Sequence, residues 1–427
     1  MFYTRKCGEI DESDFGSEQT LCGWLQDTRN LGGIAFLQLR DITGVIQLTL
    51  LKKKLEAEDY KKWTSINRES VILVRGIVKE NKEAPGGVEM LPDNIEILNE
   101  AETPLPLGVI DKIDSEIETR LNARYLDLRK SEIASNFQIR AAVSGAIHKH
   151  LRREKFLEVQ TPKIIASATE GGTSLFEMKY FDKTAYLAQS PQLYKQMLMS
   201  GGLERVYEIG PAFRAEEHNT PRHLNEFISI DIEMSFADDD VVMGVMERLV
   251  DSAARAVAKE TEALETLGIE PIELELPLPR ITYDEAVEMS NGKAEWGEDL
   301  SMEATREIAK QMNGFYFITK WPLSLKPFYI LPDDDSKYSK GFDFMYNEVE
   351  MTSGGQRVHD VNMLRERLKE QGLDPDGFNH YLDPFRYGMP PHAGWGLGLD
   401  RLSMIFAGAK NVRECVLFPR DRTRMTP

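Results

Sequence analysis

Two segments far apart in the chain carry side chains suited to holding a triphosphate. The first begins at Phe213-Arg214-Ala215-Glu216 and continues through Arg222, His223 and Phe227, and the second, 394–401, reads GWGLGLDR. Arginine offers phosphate oxygens a planar, bidentate charge, and an aromatic ring offers a base a flat face. Glycines at alternate positions let a bulky ligand approach the backbone. Together the two segments predict a site for ATP.

The predicted strand 227–234 favours a polar pocket floor. Its side chains alternate, so Phe227, Ser229, Asp231 and Glu233 share one face and apolar residues share the other. A strand with one polar face is ordinarily solvated on that face, which is the plain alternative. An aromatic and two acids beside the arginine segment favour a pocket instead.

A second pair of acids, Asp343 and Glu350, brackets a predicted hairpin. A two-residue turn at Tyr346-Asn347 would place the two carboxylates opposite each other. Facing carboxylates repel unless a cation lies between them, and Mg²⁺ held by one or two carboxylates plus phosphates suits this geometry. Two independently solvated acids remain the alternative.

Length and composition bound the class of protein. The 427 residues predict two or three domains. The net charge of −18 argues against a general nucleic-acid binder, although a local basic patch would suffice for one partner. Three scattered cysteines predict neither a disulfide framework nor a zinc site. Because no apolar run is long enough for a membrane span and no signal-peptide core is present, we expect a cytoplasmic protein.

The pattern of apolar residues changes twice along the chain. Residues 1–100 show short alternating runs separated by turns, which predict an OB-fold β-barrel. A proline-spaced linker and a basic stretch form a predicted hinge over 101–130. Residues 131–427 predict an α+β domain, an antiparallel sheet flanked by helices, with a helical insertion near 237–262.

The two opening segments resemble motifs 2 and 3 of the class II aminoacyl-tRNA synthetases, and the likeness along the whole chain is to the archaeal aspartyl type. The resemblance implies that Arg214 and Arg401 are catalytic, with Arg214 bridging the α-phosphate and the substrate carboxylate. The ATP-binding residues that it implies are Arg214, Ala215, Glu216, Arg222, His223, Leu224, Phe227, Glu350, Gly398, Leu399, Asp400 and Arg401. Its implied Mg²⁺ ligands are Asp343, Glu350 and Ser353.

Two cations resemble the family's grip on the amino-acid side chain. Lys195, in SPQLYK, and Arg357 would leave buried charge unpaired unless the ligand were anionic, so aspartate fits and asparagine or lysine does not. The other implied aspartate contacts are Glu170, Gln192, Arg214, Asp231 and Ser353. Glu170 begins a Gly-Gly loop that resembles a mobile cover, though such a pair could equally mark an ordinary turn.

The resemblance also implies the reaction and the subunit arrangement. The aspartate α-carboxylate attacks the α-phosphorus of ATP, pyrophosphate leaves, and the tRNA 3′-terminal hydroxyl attacks the adenylate. Positioning and charge neutralisation drive such phosphoryl chemistry, and no residue stands out as a general base for the transfer. The segment 156–164 resembles motif 1, which implies a homodimer, although a plain helix-to-strand connection would have the same sequence.

Barrel residues match the positions at which the family reads tRNA. Arg29, Phe36 and Gln47 would contact anticodon bases, while alternation leaves a core role open for Phe36. Archaeal enzymes restricted to tRNA(Asp) resemble one another in a Trp and a Lys near the last anticodon base. This chain has Gln26 and Pro85 there, and proline lacks both an N–H and a charge. The departure favours a relaxed enzyme that also charges tRNA(Asn).

Four other classes of protein remain to be weighed. A tRNA(Asp)-only enzyme is the first. An asparaginyl-tRNA synthetase is disfavoured by Lys195, and a paralogue that makes asparagine without tRNA is disfavoured by the barrel. A non-enzymatic tRNA-binding protein should have lost Arg214, Glu350 or Arg401, and all three are present.

Overall fold

The computed structural model describes residues 2–110, 115–166, 175–217 and 220–427. Contacts divide the chain into two units, one ending at Lys130 and the other beginning at Ser131. No helix in the described ranges is long and apolar enough to cross a membrane.

The first unit is built on a closed five-stranded barrel with strand order β1-β2-β3-β5-β4. The strands are β1 (Glu18–Asn30), β2 (Ile34–Asp41), β3 (Gly44–Leu51), β4 (Val71–Glu80) and β5 (Val88–Asn99), and the helices are α1 (Ala57–Thr64), α2 (Ile117–Asn122) and α3 (Arg124–Asp127). Strand alternation buries Leu37 and Leu39 inside the barrel and turns Phe36 outward. The predicted OB-fold is confirmed.

Charged groups hold the end of the predicted hinge. The buried carboxylate of Asp127 accepts hydrogen bonds from Arg120 and Arg124. Arg129 reaches the barrel residue Glu69 at 2.8 Å. Because Glu69 is buried, these hydrogen-bonded ion pairs neutralise a charge that would otherwise be costly to bury.

The second unit contains an eight-stranded sheet of order β12-β13-β14-β15-β16-β11-β10-β6 and a small sheet of order β7-β9-β8. Its strands are β6 (Leu157–Glu158), β7 (Ile164–Ile165), β8 (Glu177–Tyr180), β9 (Lys183–Leu187), β10 (Arg205–Phe213), β11 (Glu226–Ser235), β12 (Arg280–Thr282), β13 (Phe315–Thr319), β14 (Gly341–Tyr346), β15 (Val349–Gln356) and β16 (His392–Gly398). Its helices are α4 (Ser131–Arg153), α5 (Gln192–Ser200), α6 (Asp239–Val257), α7 (Thr261–Leu267), α8 (Tyr283–Met289), α9 (Met302–Ala309), α10 (Val361–Glu370), α11 (Asn379–Leu382) and α12 (Leu399–Phe406).

The α+β class is confirmed, and the sheet is mixed rather than wholly antiparallel. Strands β6 and β10 run parallel, as do β12 and β13, while the pairs between β13 and β10 are antiparallel. The site is therefore floored by antiparallel strands, and the parallel pairs lie at the two edges.

The acidic helical stretch near 237–262 forms helix α6, which belongs to the main hydrophobic core. Asp238 caps the helix by accepting a hydrogen bond from the Val241 N–H. Val242, Met246 and Leu249 are fully buried with the apolar face of the sheet. The helix therefore supports the sheet from behind.

Candidate active site

The polar face of the central sheet forms the floor of a cavity of about 470 Å³. Strand β11 contributes Phe227, Ser229 and Asp231, as its alternation predicts, while its isoleucines face the core. The residues predicted to bind ATP, aspartate or metal that line this cavity are Gln192, Arg214, Glu216, Arg222, His223, Leu224, Phe227, Asp231, Asp343, Glu350, Ser353, Gly398, Asp400 and Arg401. Segments widely separated in sequence therefore meet at one site.

The loop after β10 is tied back to the strand that follows it. The Asn225 amide donates to the backbone oxygens of Arg214 and Glu216, at 2.7 and 3.2 Å. The Arg214 guanidinium lies 5.3 Å from the centre of the Phe227 ring. The ring and the cation therefore already form one surface, on which a base and a phosphate could lie side by side.

Three arginines, Arg214, Arg222 and Arg401, lie close together on the cavity wall. Burial and the nearby Arg214 and Arg222 lower the pKa of Arg401, although the guanidinium remains charged. Burial also lowers the pKa of His223, whose Nδ1 lies 2.5 Å from the Thr220 hydroxyl. Glu350 and Glu216 offset part of the repulsion between these like charges. The lowered pKa of Arg401 shows that repulsion and burial still outweigh this effect, so the cluster is suited to a polyphosphate.

Two residues beside Arg401 have structural partners. The Asp400 carboxylate is ion-paired with Arg140 and accepts a hydrogen bond from the Ile228 N–H at 2.8 Å. Leu399 packs in the core. Asp400 thus fixes the start of helix α12 against strand β11, which aims Arg401 at the cavity.

The alternate glycines of β16 make room chiefly for protein side chains. A Cβ at Gly396 would lie 2.7 Å from an oxygen of Asp231, and one at Gly394 would lie 2.3 Å from an oxygen of Glu233. A Cβ at Gly398 would meet nothing closer than 3.7 Å. Only Gly398 therefore fits the expected close approach of a ligand, while the other two glycines accommodate the acids of β11.

A buried cluster of four charges lies beside the cavity, and Asp231 is its member on the cavity wall. Lys195 Nζ lies 2.8 Å from Asp231 Oδ1 and 3.7 Å from Glu233 Oε2. Arg357 donates to both oxygens of Glu233, at 2.9 and 3.3 Å. The two cations thus meet at Glu233, as a shared grip requires. The expectation that they lack partners without a ligand is wrong, because Asp231 and Glu233 balance them.

A buried polar network lies behind this cluster. Gln192, on the cavity wall, donates to Gln196, which contacts the His392 imidazole at 3.1 Å. Burial lowers the pKa of His392 to about 4. The Arg357 N–H donates to the His392 backbone oxygen at 2.8 Å. Gln192 and Arg357 are therefore both anchored through His392.

The predicted register of the acidic hairpin is wrong. Tyr346 pairs with Val349, so the turn is Asn347-Glu348, and Asp343 faces Ser353 rather than Glu350. Asn347 has a φ of 50°, a conformation that asparagine tolerates well. A register shift farther along the hairpin then buries two successive residues, Met351 and Thr352. This bulge turns Glu350 and Ser353 to the same side.

The predicted metal ligands still lie close together. Ser353 donates to Glu350 Oε1 at 3.0 Å. The pKa of Asp343 is raised to about 6, because burial and the nearby Glu350 raise it by more than Lys326 lowers it. In the described residues no group of three or more His, Cys, Asp or Glu side chains could hold a metal alone. An all-oxygen set with two acids fits Mg²⁺ that also takes phosphate oxygens.

Sequence reasoning missed Lys326. It is buried on the cavity wall, and its Nζ lies 2.7 and 2.9 Å from the two oxygens of Asp343. A signal existed, because Lys326 is a charged residue within the largely apolar stretch WPLSLKPFYIL at 321–331. A charge in such a stretch has to be paired when it is buried.

The barrel residues predicted to read tRNA lie on the outer face of adjacent strands. Arg29 pairs with Phe36 across β1 and β2, and Phe36 pairs with Thr49 of β3. Gln47 lies two residues along β3 and contacts Thr49. The half-buried Phe36 lies outside the barrel core, so the core alternative is not supported.

The remaining predicted residues are placed as follows. Gln26 accepts a hydrogen bond from Arg40 at 3.1 Å, and Pro85 is exposed on the loop between β4 and β5. Ala215 directly follows Arg214 and is half-buried. Glu170 lies outside the described residues.

Known protein families match most of this chain. Residues 116–422 match the family described as tRNA synthetases class II (D, K and N), and residues 19–98 match an OB-fold nucleic acid binding domain. An aspartate–tRNA(Asp/Asn) ligase from Archaeoglobus fulgidus is 53% identical over 419 residues, which cover 96% of this chain and 97% of the relative. An aspartate–tRNA(Asp) ligase from Thermoplasma acidophilum is 49% identical over 423 residues, which cover 98% of each chain.

Solved structures are similar over the same length. Asparaginyl-tRNA synthetase from Pyrococcus horikoshii, in complex with asparaginyl-adenylate, superposes with a TM-score of 0.94 at 32% identity and with full coverage of both chains. The chain belongs to the class II tRNA synthetases of the D, K and N group. It is an enzyme, an aminoacyl-tRNA ligase.

Proposed function

We propose that this enzyme attaches L-aspartate to tRNA(Asp), and also to tRNA(Asn), through an aspartyl-adenylate. The observation that carries the amino-acid assignment is the meeting of Lys195 and Arg357 at Glu233, beside the cavity that Arg214 enters. The relative from Archaeoglobus fulgidus, named for aspartate and both tRNAs, supports the same assignment.

The charge of the cluster favours aspartate over asparagine. The buried group of Lys195, Arg357, Asp231 and Glu233 is balanced, and Arg214 on the cavity wall adds one positive charge beside it. Aspartate has a net charge of −1 and would cancel that excess, whereas zwitterionic asparagine would leave it unmatched. The similar structure from Pyrococcus horikoshii is an asparaginyl-tRNA synthetase, but this charge argument disfavours that alternative for the present chain.

The proposed mechanism assigns positioning to this chain's own side chains. Asp231 would accept from the substrate ammonium, and Glu170 would reach the same group from its loop. Arg214 would hold the α-carboxylate against the α-phosphate for in-line attack, while His223 and Arg401 would hold the outer phosphates. Bound Mg²⁺, held by Glu350, Ser353 and Asp343, would supply further charge neutralisation.

The wider tRNA range rests on two barrel positions. Gln26 and the exposed Pro85 replace the Trp and Lys expected of a tRNA(Asp)-only enzyme. Proline offers a base neither a hydrogen-bond donor nor a charge. The relatives include one named for both tRNAs and one named for tRNA(Asp) alone, so both ranges occur at similar identity.

Aspartylation of purified tRNA(Asp) and tRNA(Asn) transcripts tests this proposal. We expect values of kcat/KM that agree within about tenfold, because no strong base contact separates the two last bases. A preference for tRNA(Asp) of about a thousandfold would contradict the wider range. Absence of charging with either tRNA would contradict the assignment to aspartate.

We also infer a cytoplasmic homodimer that pairs through the segment around β6. An apolar cavity of about 900 Å³ is lined there by Val159, Pro162, Tyr194, Met197 and Leu198, among others. Leu157 and Ile164 are half-exposed beside it, and exposed apolar patches commonly mark interfaces. Light scattering of the purified enzyme should give twice the 48.6 kDa chain mass, and a monomer mass would contradict pairing.

A further inference from the structure

Lys326 and Asp343 form a hydrogen-bonded ion pair on the cavity wall. Both carboxylate oxygens lie within 2.9 Å of its ammonium. The same ammonium lies 4.1 Å from the centre of the buried Trp321 ring. The lysine is held by a second attraction from the ring face, so it is a fixed part of the cavity wall.

Glu350 is held differently. Its carboxylate faces the cavity and receives a neutral hydrogen bond from Ser353 at 3.0 Å. Arg401 contacts Glu350 through the backbone oxygen. Of the two acids proposed to hold Mg²⁺, one is therefore matched by an ammonium at hydrogen-bond distance, whereas the other has only the longer-range attraction of Arg401.

We propose that Lys326 is a positioning residue that makes divalent-metal binding depend on ATP. The inference rests on the proposed use of Mg²⁺ at this site. Because Lys326 cancels the charge of Asp343, an ion arriving alone finds one open carboxylate and one hydroxyl. An ion arriving on ATP brings phosphate oxygens with it, which complete the coordination that a small divalent ion requires.

The same placement disfavours an ion held without nucleotide. A fixed ammonium beside Asp343 repels a divalent ion that approaches the same oxygens. Replacing it with a neutral side chain of similar shape removes that repulsion. The unpaired, buried Asp343 then takes up a proton, which it can exchange for the ion, so a second carboxylate becomes available to the metal. The affinity for the bare ion should then rise, although the number of protein oxygens does not change.

Titration of the full-length enzyme with Mn²⁺ alone, followed by electron paramagnetic resonance, tests this role. Lys326→Met should bind Mn²⁺ about tenfold or more tightly than the wild type, because a second carboxylate becomes available. Lys326→Arg, which keeps the charge, should remain close to the wild type. Lys326→Met binding no more tightly than the wild type would overturn the proposal.

A matched control separates this role from the general effect of unpairing an acid. Lys163 lies 2.6 Å from the buried Glu208, and neither residue lines the cavity. Lys163→Met should leave the Mn²⁺ affinity unchanged. A rise equal to that of Lys326→Met would show that any unpaired acid attracts the ion, which would overturn the specific role.

A double variant keeps the test decisive if Lys326→Met destabilises the protein. Lys326→Met with Asp343→Asn removes the pair without leaving a buried charge. Its affinity for bare Mn²⁺ should stay within about threefold of the wild type, and a tenfold loss would show that Asp343 is a ligand in the free enzyme. Wild-type pyrophosphate exchange with aspartate is assayed separately, so failure of the proposed function remains distinguishable from this result.

Discussion

At the scale of single residues, the enzyme depends on buried charges that are held in partnership. Lys195, Arg357, Asp231 and Glu233 form one such group, and Lys326 with Asp343 forms another. Removing one member of a buried pair is costly because it leaves an uncompensated charge. Substitutions here should therefore affect both substrate binding and stability.

Lys195→Met should lower kcat/KM for aspartate by about a thousandfold, since truncating one partner of a buried charge pair costs roughly 2–5 kcal/mol or more. Pyrophosphate exchange at varied aspartate concentration measures this loss. Lys310→Met, which alters an exposed lysine paired with Glu307, is the control and should leave kcat/KM unchanged. An unchanged kcat/KM in Lys195→Met would remove this lysine from the amino-acid grip.

His392 predicts a dependence of stability on pH. Its folded pKa is about 4 because the ring is buried, whereas an unfolded histidine has a pKa of about 6.5. Between these values the unfolded chain binds a proton that the folded chain does not, so stability falls as the pH falls. The loss from pH 7 to pH 5 should be about 2 kcal/mol.

Thermal unfolding of the full chain at pH 7 and pH 5 checks this sign. The wild-type Tm should fall more than that of His392→Gln, because glutamine does not titrate. His380→Gln, at an exposed histidine, should behave like the wild type. Equal losses in the wild type and in His392→Gln would contradict the account.

At the scale of elements, the strands determine what the site can hold. Alternation along β11 predicts its polar face correctly, because a period of two is a local property of any strand. The hairpin register could not be predicted from alternation, since the bulge adds a residue and the turn moves by one position. The position of the bulge and the position of the turn both depend on how Asn347 and the neighbouring strands fit together.

Two glycines of β16 allow a matched test. Gly396→Ala should lower kcat/KM for aspartate by about tenfold to a hundredfold, because its Cβ would lie 2.7 Å from Asp231. Gly398→Ala has room for its Cβ within the protein. The added methyl group should instead obstruct the ligand, so KM for ATP should rise and KM for aspartate should stay unchanged. Pyrophosphate exchange at varied ATP and varied aspartate separates the two effects. Identical effects of the two substitutions would contradict the distinction.

At the scale of the whole molecule, the proposed function gives the two units separate tasks. Composition and patterning predict a barrel followed by an α+β unit because each has its own period of apolar residues. The pairing of Lys326 with Asp343 could not be predicted in the same way. Its partners are 17 residues apart and are brought together only by tertiary packing.

Phe36→Ala should raise KM for tRNA by about tenfold to a hundredfold, which corresponds to the loss of one stacked base. Aspartate-dependent pyrophosphate exchange should be unchanged, because adenylate formation uses the other unit. Phe2→Ala, at a highly exposed phenylalanine, is the control for aminoacylation. A loss of exchange in Phe36→Ala would contradict this division of tasks.

Pyrophosphate exchange with aspartate and with asparagine, on the wild-type enzyme, tests the central claim most directly. A site with one excess positive charge should activate aspartate with a kcat/KM at least about a thousandfold above that for asparagine. Equal activation of both amino acids, or a preference for asparagine, would contradict the charge argument built on Arg214 and the balanced group of Lys195, Arg357, Asp231 and Glu233.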